Sequence, residues 1–206
     1  MRPLLPAALV LLTVKGRPGG WGRRCCHHSP VRDRAPGEGA RVIAGTASVI
    51  ARSGSSVAVR SGAPRPDISS PEALKRTLLA AKSIAYSDPA SGGASGIHFA
   101  KVLDRLGIAD EMKSRTVFPK SGFPGQLVAT GEAEIGVGTL QGLIAIPGID
   151  VVGPLPGDLQ DTLVFVAAIM ANASQAAAGK SFIDFLRGAE AAAVIKAKGM
   201  EPAIRY

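Results

Sequence analysis

The stretch Ser87-Asp88-Pro89-Ala90-Ser91-Gly92-Gly93-Ala94-Ser95-Gly96 joins a short apolar run to an amphipathic one. Where a helix starts, its first N–H groups lack partners and the positive end of its dipole lies behind them. Small residues let an anion reach the main chain there, and Ser91 and Ser95 add hydroxyl donors. That chemistry suits a phosphate-like oxyanion. The stretch has neither the Lys of G-x-x-x-x-G-K-[ST] nor a G-x-G-x-x-G pattern, so no nucleotide follows from it. The same residues equally suit a plain capped loop from strand to helix, and spacing leaves both readings open.

Other chemistry-bearing residues are weaker signals. His98 lies one turn further on, but a Ser–His nucleophile needs an orienting third group and an elbow such as G-x-S-x-G, which is absent. His98 is therefore expected to pack or to face solvent, and Asp88 to shape a turn. Glu132 and Glu134 flank Ala133 and are expected to be a solvated turn rather than an acid–base pair. Cys25-Cys26-His27-His28 has zinc-ligand residue types, yet side chains on adjacent residues do not converge easily on one tetrahedral ion. No metal, no cofactor and no catalytic constellation is expected.

Charge removes another class of function. The 206 residues carry a formal charge of +8. Arg2, Lys15, Arg17, Arg23, Arg24, Arg32 and Arg34 oppose only Asp33 in the first 36 residues, and the remainder is close to neutral. A near-neutral globule offers no surface for tracking phosphates, so no nucleic acid is expected. With 46% hydrophobic residues the chain is globular; with 4% aromatics its core must be aliphatic.

Residues 1–40 read differently from the rest. Residues 3–14 form an apolar run after Arg2, a weak signal-like feature too short to span a bilayer and followed by no A-x-A site. The Arg-, Cys-, Pro- and Gly-rich text that follows is typical of GC-rich DNA read out of frame. Allowed codons for residues 21–39, read one base later, encode GDVVVAITPPSAIERLAKG: a buried strand, a Pro turn and an amphipathic helix.

The elements that must position the 87–96 stretch are legible from about residue 41. Alternation of Val57 and Val59 with Ala58 and Arg60 makes 55–64 a strand and its exit. Ser70 as N-cap with Pro71 at the first helical position starts a helix that runs through Lys82. A strand at 83–88 leads into the loop, and the next helix has its apolar positions at Ile97, Phe99, Ala100, Val102, Leu103 and Leu106, closed by Gly107. Short helices are expected at 108–113, 123–130 and 140–144, and strands at 116–118, 134–138, 149–156 and 163–170. Helices at 180–187 and 190–198 end the chain. Alternating strands and helices make the class α/β, with mostly parallel sheets.

Over residues 41–202 this order resembles the substrate-binding proteins of ABC transporters, in the molybdate-binding-like branch of the type II periplasmic binding fold. The carrying residues are Ser56-Val57-Ala58-Val59-Arg60-Ser61-Gly62-Ala63-Pro64, Tyr86-Ser87-Asp88-Pro89 with Gly93-Ala94-Ser95-Gly96, and Gly131-Glu132-Ala133-Glu134-Ile135-Gly136. Val152-Gly153-Pro154-Leu155-Pro156, the 182–186 and 191–196 helices and Lys198-Gly199-Met200 complete it. The resemblance implies one complete lobe at 61–164, and an incomplete second lobe at 41–60 and 165–206. It implies an anion in the interlobe cleft, held at Ser91, Ala94, Ser95, Gly138 and Thr139, with Phe165 where the family has a cleft tyrosine. It implies no catalysis, an ABC permease as partner, a monomer, and the periplasm, with the cytoplasm as the alternative.

Two departures temper this. Phe165 has no hydroxyl, which points to a small anion other than molybdate or tungstate. The family's first strand and its two anion loops are not found in residues 1–40. The incomplete lobe is therefore expected to expose apolar faces of 163–170 and of the last helices, to be marginally stable, and to bind weakly or not at all. Two rival readings remain: an effector-sensing domain of the same fold, which normally carries a helix-turn-helix not seen here, and a hydrolase using Ser91 or Ser95 with His98. The nucleotides upstream of the Val42 codon are expected to encode a strand-and-helix peptide in the shifted frame; sequencing that finds no open frame of this kind removes the expectation.

Overall fold

The computed structural model describes residues 9–16, 42–91 and 93–203, the first of these stretches by its backbone alone. The elements run β1 (Leu9–Gly16), β2 (Ser48–Arg60), α1 (Pro71–Ala80), β3 (Ile84–Ala85), α2 (Ala94–Leu106), α3 (Ala109–Lys113), β4 (Thr116–Val117) and α4 (Pro124–Thr130). They continue β5 (Ile135–Thr139), α5 (Leu140–Leu143), β6 (Ile149–Pro154), β7 (Thr162–Ile169), α6 (Ala176–Leu186), α7 (Ala189–Ala197) and β8 (Glu201–Pro202). The chain is α/β. It divides into two compact units: one of the described residues up to Arg52, Val164–Ala197 and Glu201 onward, the other of Ser53–Leu163 with Lys198–Met200. The strand expected at 55–64 thus starts earlier, at Ser48, and belongs to both units.

In the larger unit the strands lie in the order β2-β5-β3-β4, with β6 on the other side of β2. β3 is parallel to both β4 and β5. β2 is antiparallel to β5 and β6, so the expectation of parallel pairing holds for three strands and fails at β2, an antiparallel strand added to a parallel set. The period-two alternation of strand side chains serves both faces. Ile84, Ile135 and Val137 enter the main core with Leu74, Leu78, Phe99, Val102 and Met112 from α1, α2 and α3. Ala85 points to the opposite face, where it packs with Val128 of α4 and with Ala133.

Local signals set the helix ends. The Ser70 hydroxyl accepts the Ala73 N–H at 3.1 Å and so caps α1. At its other end the Arg115 guanidinium donates to the carbonyls of Leu79 and Ala81. α2 closes on Gly107 in the left-handed region, φ 67°. It opens at Ala94, a turn before the expected Ile97, because Ala94, Ser95 and Gly96 carry no apolar side chain to register in the periodicity. Beyond β6, the Gln160 side-chain amide pairs with both main-chain groups of Ser55, accepting its N–H at 3.1 Å and donating to its C=O at 2.9 Å.

In the smaller unit β7 lies between β1 and β2. β8 pairs with the start of β2, with Ala51 opposite Pro202 and Arg52 opposite Glu201. The expected apolar exposure is found only in part. Phe182 and Phe185 of α6 stack at 6.4 Å and are exposed, as is Val194 of α7. Val166, Ala167, Ala168 and Ile169 of β7 are instead buried, because the strand lies inside its sheet. Among the described residues no helix is long and apolar enough to cross a membrane.

The larger unit should depend on its most deeply buried aromatic side chain. Phe99 is 1% exposed and meets the Tyr86 ring edge-on at 5.0 Å. Phe99→Ala is expected to cost ~3–5 kcal/mol in urea unfolding, the usual result of emptying a buried aromatic site.

Candidate functional site

Parallel pairing puts the ends of β3 and β5 on one edge. Ile84 lies opposite Ile135 and Ala85 opposite Gly136, so the chain leaving β3 at residue 86 and the chain leaving β5 at Thr139 emerge side by side. In open α/β sheets this carboxyl edge is where ligands bind. Tyr86 leaves first and is buried; desolvation pushes its phenol up, with Asp88 and Asp104 adding to the shift, so it stays neutral at physiological pH.

Asp88 then builds the loop. Its carboxylate accepts the Ala90 N–H at 2.9 Å, and its carbonyl accepts the Ser91 N–H at 3.1 Å and the Ser91 hydroxyl at 2.6 Å. The side chain shapes a turn, as its residue type and position suggested. The Ser91 hydroxyl spends its proton inside the loop and keeps its lone pairs.

α2 begins without a side-chain cap. Gly93 is its N-cap, and no described side chain bonds to its first turn. The first main-chain bond runs from Ile97 N–H to Gly93 C=O, which leaves the N–H groups of Ala94, Ser95 and Gly96 with no acceptor inside the helix. Gly96 holds this turn in place. A Cβ there would lie 2.0 Å from the Ser87 carbonyl oxygen and 3.2 Å from the Ser87 Cβ. Only glycine lets the helix start so close to the exit of β3. Ala94 and Ser95 are half-buried, within reach of solvent.

Gly138 and Thr139 end β5 beside this turn, Gly138 buried and Thr139 half-buried as the N-cap of α5. Two side chains at this edge were not anticipated from the sequence. Ser53 is 5% exposed, and its hydroxyl donates to the Gln141 side-chain oxygen at 2.5 Å. The pairing follows from the β2–β5 register, in which Ser55 lies opposite Thr139. No local pattern encodes that register. Phe165 lies on β7 in the smaller unit, half-buried.

The remaining candidates resolve into structural roles. His98 is buried; its Nε2 lies 3.0 Å from the Leu159 carbonyl oxygen, as a donor to it, and its Nδ1 lies 3.7 Å from the Asp161 carboxylate. The ring thereby ties α2 to the 157–161 turn. Glu134 accepts the Lys82 N–H at 2.8 Å and Glu132 the Thr130 hydroxyl at 2.8 Å, so each carboxylate has its own separate contact. Cys25, Cys26, His27 and His28 lie outside the described residues. Among the described residues no cluster of three or more His, Cys, Asp or Glu could hold a metal ion.

Residues 34–201 match the model of a family described as bacterial extracellular solute-binding protein. An aconitate isomerase of Pseudomonas sp is 35% identical over 147 residues, covering 71% of this chain and 55% of that protein. The molybdate-binding protein ModA of Azotobacter vinelandii is 32% identical over 135 residues, covering 61% of this chain and 50% of that one. The chain spans about half the length of these curated relatives. Among solved structures, the periplasmic molybdate-binding protein of Azotobacter vinelandii aligns with a TM-score of 0.60 at 23% identity, over 77% of this chain and 69% of that one.

Gly96→Ala is expected to push the first turn of α2 off the Ser87 carbonyl and to destabilise the unit by ~1–3 kcal/mol, the scale of overpacking a tight contact. Gly93→Ala, whose Cβ would meet nothing closer than 3.8 Å, is the control and should change the melting temperature little.

Proposed function

The chain belongs to the bacterial extracellular solute-binding protein family, with its type II periplasmic binding fold, and on that footing we propose that it binds a small oxyanion at the first turn of α2. The observation that carries the reading is the uncapped turn itself: three N–H groups, an aligned helix dipole, and a glycine that holds them at the carboxyl edge of β3 and β5. Peptide N–H donors suit an anion because they are strong when oriented and carry no counter-charge that must be desolvated. Ala94 and Ser95 supply amides and Ser95 a hydroxyl. The Ser91 hydroxyl, expected as a donor, gives its proton to the Asp88 carbonyl and offers the anion none, and the Gly138–Thr139 segment lines the neighbouring strand end.

On this reading the protein holds its ligand without transforming it and delivers it to an ABC permease from the periplasm, as a monomer. A second reading has a specific observation behind it: the 35% identity to an aconitate isomerase, whose substrate is an organic polycarboxylate. Carboxylate oxygens would use the same N–H groups, and the reading differs in requiring turnover.

Backbone amide NMR of the whole chain, titrated into the millimolar range with molybdate, sulfate, phosphate and aconitate, tests both. The resonances of Ser95 and Gly96 are expected to move with at least one inorganic oxyanion, while aconitate is recovered unchanged. No movement of those resonances with any of the four overturns the binding site; conversion of aconitate to its isomer replaces binding by catalysis.

A further inference from the structure

We infer that the Gln141 side chain is a further donor of this anion site, aimed by the Ser53 hydroxyl; the inference rests on the oxyanion reading above. Ser53 and Gln141 meet just beyond the β2–β5 ladder, whose last pair is Ser55 with Thr139; Gln141 follows in the first turn of α5. The Ser53 hydroxyl donates to the Gln141 side-chain oxygen, and the Gln141 Nε2 has no acceptor among the described residues. An amide whose oxygen is engaged can offer only its two N–H bonds to anything else. Ser53 is buried, so the hydroxyl is held in place and orients the amide as a fixed donor rather than a flexible one.

The position matches the site. The strand order β2-β5-β3 sets Gln141, tied to β2, on one side of the end of β5 and the α2 turn, which follows β3, on the other. Neighbouring strands lie ~4.8 Å apart, so an anion seated over the end of β5 can take hydrogen bonds from both flanks. Every group named here belongs to the larger unit. The chemistry also bounds the ligand: with its acceptor engaged, Gln141 can donate to any oxyanion oxygen but cannot accept the proton of a protonated one.

The test is the same titration read at the side chain. With sulfate or molybdate, the Gln141 side-chain NH2 resonances should move along the same binding curve as the Ser95 and Gly96 amides. Gln141→Ala should weaken binding roughly tenfold, the scale of one hydrogen bond to a charged acceptor. Gln141→Glu should weaken it further by adding a like charge, and Ser53→Ala should give a smaller loss by releasing the amide. Movement of Ser95 and Gly96 with a silent Gln141 side chain, or unchanged affinity in both Gln141 variants, overturns this inference and leaves the oxyanion site standing. A wild-type chain whose Ser95 and Gly96 amides never move overturns both.

Discussion

A Cβ placed on residue 96 would stand 2.0 Å from the Ser87 carbonyl oxygen, and this near-contact decides where the first turn of α2 lies. A helix is a stiff rod, so fixing one point of its first turn fixes the direction of its unpaired N–H groups. Here that point is set against the chain leaving β3, at the edge where β5 also ends. The glycine therefore does for the main chain what a rotamer does for a side chain: it selects one orientation and removes the rest. The loop before it is stiffened by Asp88, whose carboxylate and carbonyl together take three hydrogen bonds from Ala90 and Ser91. The proposed anion site draws mainly on peptide groups, which suits the small residue types of this loop.

How much of this was legible in the sequence depends on whether the cause was local. Ser70 and Pro71 marked the start of α1, Gly107 the end of α2, and Gly131 the end of α4, because caps and left-handed residues act within a few positions. The 87–96 stretch announced a loop where an anion could approach. Its helix was expected to begin at Ile97, since periodicity registers apolar side chains and the first three residues of α2 have none. The antiparallel pairing of β2 was equally hidden, because Val57 and Val59 would serve a parallel strand as well. Ser53 and Gln141 could not be joined before the register was known, since 88 positions separate them along the chain. His98 was expected to pack or to face solvent and is buried, and its partners Leu159 and Asp161 come from a turn that nothing near His98 specifies.

Polar burial on β2 follows the same division. Ser53, Ser55 and Ser56 are each 5% exposed or less, an unusual density of hydroxyls in an interior. Two of the contacts are specific: Ser53 to the Gln141 side chain, and the Ser55 main chain to the Gln160 amide. Gly54 between them has the same function as Gly96, since a Cβ there would fall 2.5 Å from the Gln160 Nε2. In both places a missing side chain makes room for a hydrogen-bonding group from elsewhere in the chain.

The Gln160 amide also settles what happens where β6 stops. The ladder between β2 and β6 ends at Pro154, which has no N–H to give, and the chain then turns away through Pro156. The Leu155 N–H still reaches the Ser55 carbonyl at 3.2 Å, which leaves the Ser55 N–H without a main-chain partner on this side. The side-chain amide fills that gap as a single surrogate peptide unit and cannot propagate further. Because β2 lies inside its sheet, the surrogate closes a hole in an interior strand where a further length of strand would otherwise be needed.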